Sequence, residues 1–385
     1  SLSGRGPVPS VLAWESERPA RAEPQVWAIL PWASPGEAPR TWAPVRALRK
    51  RGRWNRPFQF ILVRACDRLG PAANHTECAR ISSFKRYRWP QFGLVKRVFP
   101  AFLLVAGIFS PGAAAGLELE SFKDNLFALP QALSASPDRS FVVIDYKEMR
   151  DINGRDQIPE RRVRRNYVDL SVRRKSALST FATKGGRVDI GIAGMFGGAR
   201  FGVIFIHGRN GDRRLGMDDY RFGGNFNRIK NLAVRNNGVY IAPTIPEFGN
   251  AGVRDVDALI SAFRRQNPGA PLVLACGSMG SIICLSLARD PAAASNLAGM
   301  ILLGGMPDPE LASSALVKAR VPITFVHGSN DSVYDWKSQR AVFNAIKGAR
   351  KSYPAKFILL NTGSHGSPIR MIDWRETLNS MFASY

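Results

Sequence analysis

A repeating pattern of short apolar runs and amphipathic segments occupies the second half of the chain. Each unit has a run rich in Val and Ile, then a loop, then a segment with helical periodicity. The apolar runs are GVIFIHG (202–208), GVYIAPTIP (238–246), PLVLACG (271–277), AGMILLGG (298–305), PITFVHG (322–328) and KFILLNTG (356–363). The helical segments lie near 224–236, 252–266, 279–289, 309–319, 335–348 and 369–382. Strands that are apolar throughout are buried on both faces, so the alternation predicts an α/β fold: a doubly wound, mostly parallel sheet with helices on both faces.

Two further segments precede this pattern. The run FVVIDY (141–146) is typical of a strand. The stretch RDQIPERRVRRNYVDLSVRRK (155–175) is rich in loop-forming and basic residues, and its alternating YVDLSV (167–172) predicts an edge strand. We interpret the arginines of this stretch as a solvated face.

The net charge of +24, from 54 basic and 30 acidic residues, suits a nucleic acid, an anionic membrane or an acidic substrate as partner. The excess is spread along the chain and does not form one block. No zinc-finger spacing or RNA-binding aromatic signature accompanies it, which argues against nucleic-acid binding.

The four cysteines, Cys66, Cys78, Cys276 and Cys284, form neither a dense disulfide framework nor a CxxC metal pair. Cys276 and Cys284 fall in the predicted buried strand and the helix that follows it. We interpret both as free thiols packed as small apolar groups.

The composition changes abruptly near residue 93. All eight methionines lie at position 149 or later, whereas six of the eight tryptophans lie in the first 89 residues. Residues 1–93 are rich in Arg, Pro, Ala and Trp, and they show no sustained helical or strand period. We therefore divide the chain into an irregular basic leader (1–93), a signal peptide (94–115) and one domain (116–385).

The signal peptide is predicted from LVKRVFPAFLLVAGIFSPGAAAG, residues 94–116. Lys96 and Arg97 supply the positive charge, an apolar region follows over 98–109, and 113–115 form an AxA-type cleavage site. Cleavage there would deliver the domain to the periplasm or the surroundings of a bacterium. A signal peptide acts at the amino terminus, so we expect the natural product to start at residue 94 or 95, from a non-AUG codon, with the leader as upstream translation.

An alternative keeps the whole chain. The uncharged run 98–117 is about as long as the ~20 residues of a membrane span and would then be an uncleaved signal anchor. Pro100, Pro111 and the short apolar core favour cleavage instead.

Residues that could take part in catalysis follow three of the predicted strands. Ser278 follows the third strand within CGSMG, Asp331 follows the fifth within HGSND, and His365 follows the sixth within GSHG. Doubly wound sheets form their sites at the carboxyl ends of strands. Each residue also has a structural interpretation on its own: Ser278 as a helix N-cap, Asp331 as a turn residue, and His365 as a loop histidine.

In CGSMG, HGSND and GSHG, and over roughly residues 200–380, the chain resembles the α/β-hydrolase superfamily. That family presents its nucleophile in a tight strand-to-helix turn usually written GxSxG. The chain departs from the motif at Cys276, where a compact thiol replaces the first glycine.

The resemblance implies a role for each of these residues. Ser278 would be the nucleophile, His365 the general base and then acid, and Asp331 the group that orients the imidazole. The backbone amides of Met279 and Arg209 would form the oxyanion hole. Asp308 and Asp335 are fallback acids.

The site so defined predicts an exported serine hydrolase without cofactor or metal, acting through an acyl-enzyme on a small-molecule ester. A carboxylesterase is favoured because the insertion at 306–321 is too short for a large lid. Thioester, lactone and peptide substrates remain open, as do a small exported peptidase of the prolyl-oligopeptidase type and a non-catalytic binding protein. Arg209, Arg213 and Arg214 predict either an anionic substrate or a solvated basic loop.

Overall fold

A mixed sheet dominates the computed structural model, which describes residues 116–152, 154–157, 162–183, 185–383 and 385. Within these residues the sheet has ten strands in the order β1-β2-β12-β11-β10-β9-β7-β8-β6-β5, and β3 pairs with β4 separately. The strands are β1 Ala132–Ala135, β2 Phe141–Ile144, β3 Asp156–Gln157, β4 Arg162–Val163, β5 Ser176–Thr183, β6 Gly186–Gly194, β7 Gly202–Ile206, β8 Val239–Pro243, β9 Leu272–Gly277, β10 Gly299–Leu303, β11 Ile323–Gly328 and β12 Ala355–Leu360.

The centre of the sheet is parallel and its margins are antiparallel. Strands β2, β12, β11, β10, β9, β7 and β8 all run in one direction. A hairpin of β5 and β6 adds to β8, and β1 adds to β2, in the opposite sense. The chain passes from β7 outward to β8 and then returns to the other side of β7 as β9. In α/β sheets, sites form at the carboxyl ends of the strands where the order reverses, here those of β7 and β9.

Helices cover both faces of the sheet. The α-helices in the described residues are α1 Asp124–Phe127, α2 Glu148–Asp151, α3 Arg213–Met217, α4 Asn225–Arg235, α5 Asn250–Gln266, α6 Ser281–Arg289, α7 Pro291–Ser295, α8 Ala315–Lys318, α9 Trp336–Ala349, α10 Ser367–Met371 and α11 Trp374–Phe382. Short 3₁₀ turns include Phe222–Gly224, Ser278–Gly280 and Pro309–Ser313.

Alternate residues of each central strand enter two separate hydrophobic layers. On one face Ile204 and Leu274 pack with residues of α5, α6 and α9. On the other face Val203 and Val273 pack with residues of α4 and α11. Burial on both faces explains why these strands read as continuous apolar runs, and the predicted α/β fold is confirmed.

The prediction of an edge strand at YVDLSV is wrong. Residues Arg165–Tyr167 and Leu170–Lys175 form 3₁₀ turns, and the edge strand is the next segment, β5. The carboxylate of Asp169 accepts a hydrogen bond from the backbone N–H of Ser171 and so caps the second turn. This local bond competes with the extended conformation that the alternation predicted.

The interpretation of the basic stretch as a solvated face also fails, at Arg155. This side chain is only 8% exposed, and its guanidinium lies 5.1 Å from the ring centre of Phe127 and 5.2 Å from that of Tyr167. It donates a hydrogen bond of 2.7 Å to the carbonyl oxygen of Gly223. The charge is buried because aromatic faces and a backbone oxygen replace water around it.

The predicted leader and signal peptide, residues 1–93 and 94–115, lie outside the described residues. Within the described part of the chain, no helix combines the length and apolar character that crossing a bilayer requires.

Candidate active site

Ser278 lies in a tight turn between β9 and α6. Its backbone φ is +51°, in the left-handed region that non-glycine residues seldom adopt. A Cβ added at Gly280 would lie 2.5 Å from the carbonyl oxygen of His207, so the turn can approach β7 closely only with glycine there. The strained turn leaves the serine side chain half-buried at the carboxyl edge of the sheet.

The structure brings together the three side chains that the sequence singled out. The Nε2 atom of His365 lies 2.7 Å from the Oγ of Ser278, and its Nδ1 lies 2.8 Å from the Oδ2 of Asp331. The carboxylate of Asp331 has no exposed surface, whereas the His365 side chain is 26% exposed. An imidazole placed between a hydroxyl and a carboxylate can accept a proton from the first while the second orients it.

Hydrogen bonds keep Asp331 ionised. Burial alone would raise the pKa of this carboxyl, but the bonds from His327 and His365 and from the amides of Tyr334 and Val333 outweigh burial and lower the pKa. The amide bonds measure 2.8 Å from Val333 and 3.1 Å from Tyr334. The aspartate is therefore a fixed negative charge against the ring of His365.

The loops that carry Asp331 and His365 are also joined to each other by hydrogen bonds. The Asn330 N–H donates to the carbonyl oxygen of Gly363 at 2.9 Å, and the Thr362 N–H donates to the Oγ of Ser329 at 2.7 Å. These bonds fix the spacing between acid and imidazole.

His207 organises the loop after β7. Its Nε2 accepts from the N–H of Ile245 at 2.9 Å, so the proton is on Nδ1, which donates to the carbonyl oxygen of Gly208 at 2.7 Å. Burial lowers the pKa of this imidazole, which keeps the ring neutral. A trans peptide points its C=O and N–H in opposite directions, so the amide of Arg209 faces away from His207.

The two predicted oxyanion donors lie beside Ser278. A Cβ added at Gly208 would lie 2.9 Å from the Cβ of Ser278, which places the loop that carries Arg209 against the serine. Met279 follows the serine directly. Within the described residues, neither the Met279 amide nor the Arg209 amide donates a hydrogen bond to another protein group.

The fallback acids lie elsewhere. Asp308 pairs with Arg289 and caps the 3₁₀ turn at Pro309–Ser313, and Asp335 caps α9. Neither carboxylate contacts His365. Of the predicted basic cluster, Arg213 donates to the carbonyl oxygen of Ser179 and pairs with Asp189 at 3.0 Å.

The remaining two arginines of that cluster differ in their partners. Arg214 pairs with Asp212 at 3.1 Å. Arg209 is exposed and has no side-chain partner among the described residues. The three guanidinium groups therefore do not form one site.

The interpretation of Cys276 and Cys284 as free thiols is wrong. They form a disulfide bond across the strand-to-helix turn, with their Cα atoms 6.3 Å apart. Their spacing of eight residues gave no signal, because the geometry that joins them exists only once the turn has formed.

Two aromatic residues beside the site had no sequence signal. The rings of Tyr334 and His365 are 5.8 Å apart and meet edge to face. Phe222 has a backbone φ of +51°, and its ring lies 3.9 Å from where a Cβ of Gly366 would be. Both residues are half-buried, so part of each stays exposed to solvent.

The described residues contain no group of three or more His, Cys, Asp or Glu side chains arranged to hold a metal. A groove of about 500 Å³ runs between α6 and the loop at 306–310, and its lining includes the fallback acid Asp308 but not Ser278, Asp331 or His365. Ser278 does not line this groove and lies at the carboxyl edge of the sheet, here called the rim.

A serine, a histidine and an aspartate at the carboxyl ends of parallel strands, in the chain order Ser, Asp, His, define an α/β serine-hydrolase type of protein. A family model described as "Serine aminopeptidase, S33" matches residues 245–319, a range that includes Ser278. Over these residues the chain is similar to that family, and its sheet has the arrangement of an α/β-hydrolase fold.

Solved structures with a similar fold include three bacterial proteins. An α/β serine hydrolase homologue from Coxiella burnetii is 18% identical, covering 52% of this chain and 93% of that one, with a TM-score of 0.39. A putative dienelactone hydrolase from Klebsiella pneumoniae is 14% identical, covering 55% and 98%, with a TM-score of 0.41. A lidless α/β serine hydrolase from Xanthomonas campestris is 16% identical, covering 54% and 93%, with a TM-score of 0.38. No curated protein matches the chain in sequence.

Proposed function

We propose that the protein is an exported serine hydrolase that cleaves carboxylic esters of small molecules through an acyl-enzyme on Ser278. The observation that supports this most strongly is the chain of contacts from the Ser278 hydroxyl through the His365 ring to Asp331, at 2.7 Å and 2.8 Å. These are the distances at which a proton can pass from hydroxyl to imidazole.

In the first half of the reaction, the Oγ of Ser278 bonds to the ester carbonyl carbon as its proton moves to the Nε2 of His365. The C–O bond to the alcohol then breaks, and the imidazolium returns that proton to the leaving oxygen. In the second half, water gives a proton to His365 as it attacks the acyl carbon; the bond from that carbon to the Oγ of Ser278 then breaks, His365 returns the proton to Oγ, and the acid is released. Asp331 stabilises the imidazolium throughout without taking its proton.

The amides of Met279 and Arg209 stabilise the negative oxygen formed at each attack. Both lie beside the serine and lack protein partners among the described residues, which leaves them available to a substrate. Donors held in place before the reaction are worth about 3 kcal/mol each in the transition state.

The substrate that fits the rim is small, with an apolar part against Phe222 and Tyr334. Arg209 adds a preference for an anionic group, because it follows Gly208 in the loop against the serine and its exposed side chain has no partner among the described residues. Of the three arginines considered from the sequence, only this one supports an anionic substrate, since Arg213 and Arg214 are paired.

Export is supported by two independent features. Residues 94–115 have the charge, apolar run and small-residue site of a signal peptide. The disulfide between Cys276 and Cys284 is the kind of bond that persists in the bacterial periplasm and outside the cell. Sequencing the amino terminus of the native secreted protein tests the cleavage site, and peptides mapping within residues 1–90 would contradict it.

A second candidate is an exported peptidase. The match over residues 245–319 to the serine aminopeptidase model favours it. Against it, the loop packed against Ser278 carries the cation of Arg209, which would repel the positively charged amino terminus of a peptide.

A panel of chromogenic substrates separates these functions. We expect turnover of p-nitrophenyl acetate and butyrate, no turnover of aminoacyl p-nitroanilides, and loss of turnover in Ser278→Ala. Arg209→Gln should lower kcat/KM about threefold or more for a p-nitrophenyl monoester of glutaric acid and leave the butyrate unchanged. Turnover of anilides alone would establish the peptidase, and no turnover of either class would favour a binding protein.

A further inference from the structure

The disulfide between Cys276 and Cys284 encloses the serine turn. Cys276 is the second-last residue of β9, and Cys284 is the fourth residue of α6. The ring that their bond closes contains Ser278 and Met279, the proposed nucleophile and one proposed oxyanion donor. Both cysteines are completely buried.

The backbone conformation of the turn inside this ring requires stabilising contacts. Ser278 keeps a left-handed φ of +51°, which a side-chain-bearing residue adopts only when its surroundings impose it. The Oγ of Ser281 donates to the carbonyl oxygen of Ser278 at 2.7 Å and accepts from the Met306 N–H at 2.9 Å. The first bond fastens the start of α6 to the turn and the second fastens it to the loop at Met306, while the disulfide adds to the backbone a second covalent link between that helix and β9.

We propose that the Cys276–Cys284 bond is a positioning element for the hydrolase, so that full activity requires its formation. The bond fixes α6 against the end of β9, and with it the direction of the Ser278 hydroxyl and the Met279 amide. The inferred effect of the disulfide on catalysis rests on the proposed function. The inferred effect on the backbone does not.

The bond forms by thiol–disulfide exchange with a small-molecule or protein disulfide. The thiolate of one cysteine attacks the oxidant and releases one thiol. The second cysteine then displaces the remaining partner, which gives the Cys276–Cys284 bond and two reduced thiols in total. Because neither cysteine has exposed surface in the folded protein, exchange takes place before the turn closes, and the folded protein resists reductants.

The double variant Cys276→Ala/Cys284→Ala tests the proposal. We expect kcat to fall tenfold or more with KM within twofold, and amide hydrogen exchange over residues 277–281 to rise. The matched control is Leu287→Ala, which removes a buried side chain one turn further along α6; it should lose thermal stability and keep kcat. A double variant with kcat and exchange within twofold of wild type would overturn the proposal.

Two measurements on the wild-type protein keep the test decisive if the variant does not fold. Alkylation of the denatured, unreduced protein followed by mass spectrometry should leave Cys276 and Cys284 unmodified; finding both alkylated would overturn the proposal. Refolding from denaturant should restore activity with glutathione disulfide and not with dithiothreitol, and equal recovery would overturn it. If the wild-type protein hydrolyses no ester, the proposed function fails, while hydrogen exchange still tests the positioning role.

Discussion

Two regions of the molecule use polar side chains in opposite ways. At the strand ends, Ser278 and His365 are partly exposed, and tight turns aim them at each other. On the outer face of α4, Arg228 is completely buried over the ring of Phe127 and pairs with Asp124 at 3.0 Å and Asp373 at 3.1 Å. The first arrangement leaves a hydroxyl and an imidazole accessible for reaction, whereas the second holds a buried charge in ion pairs. Substitutions in the first region should change the rate, and those in the second should change stability.

The largest effect on rate is expected from Asp331→Asn. An amide cannot stabilise the imidazolium and favours the wrong tautomer of His365, so kcat should fall about 10³- to 10⁴-fold. Ester hydrolysis at saturating substrate measures it. Asp308→Asn and Asp335→Asn are matched controls, since both carboxylates cap helical turns away from His365, and each should keep kcat within about twofold. Equal losses in all three variants would show that the effect does not depend on the contact between Asp331 and His365.

The largest effect on stability is expected from Arg228→Ala. Removing one partner of a buried ion pair leaves a carboxylate uncompensated, so the free energy of unfolding should fall by about 3–5 kcal/mol. Asp373 would be that carboxylate, and its burial already raises its pKa. Urea unfolding measures the change. Arg235→Ala on the same helix, 45% exposed in its pair with Asp169, should cost less than about 1 kcal/mol. A kcat of the folded variant well below wild type would contradict the comparison.

A smaller effect is expected from Phe222→Ala. Losing the ring removes apolar contact for the substrate, so kcat/KM for a p-nitrophenyl octanoate should fall about tenfold while the acetate changes little. The matched control is Phe181→Ala on the edge strand β5, where the ring packs against Phe196. Equal losses for both esters would indicate a structural role for Phe222.

The smallest effect is expected from pH. The folded-state pKa of Asp331 is lowered, so its stabilising contribution is complete above the unfolded value of about 4 and is lost as the pH falls through the folded value. As the pH falls from 6 to 3, the free energy of unfolding of the wild type should therefore approach that of Asp331→Asn. Urea unfolding at both pH values gives the difference, and a constant gap would contradict the assigned pKa direction.

Periodicity and turn chemistry made the central fold predictable. The apolar runs at 271–277 and 322–328 became β9 and β11 because burial on both faces requires apolar residues throughout. The positions of Ser278, Asp331 and His365 followed from their order after strands. Sequence spacing did not predict the distances between these side chains, because hydrogen bonds between the loops fix those distances.

The remaining features depend on contacts between distant parts of the chain. Arg155 looked like one more exposed arginine in a basic stretch, and only the rings of Phe127 and Tyr167 explain its burial. Phe222 carried no pattern, because its role depends on a left-handed backbone next to the loop of Gly366. Apolar and polar residues alternate only weakly in β5 and β6, so the sequence did not distinguish this hairpin from the loop before it.

The most direct test of the central claim is to map the adduct of a fluorophosphonate probe, which reacts with activated serines. We predict a single adduct, on Ser278, and a labelling rate at least about 10³-fold lower in His365→Ala, because the hydroxyl then has no base. An adduct on another residue, or a labelling rate that does not depend on His365, would contradict the account.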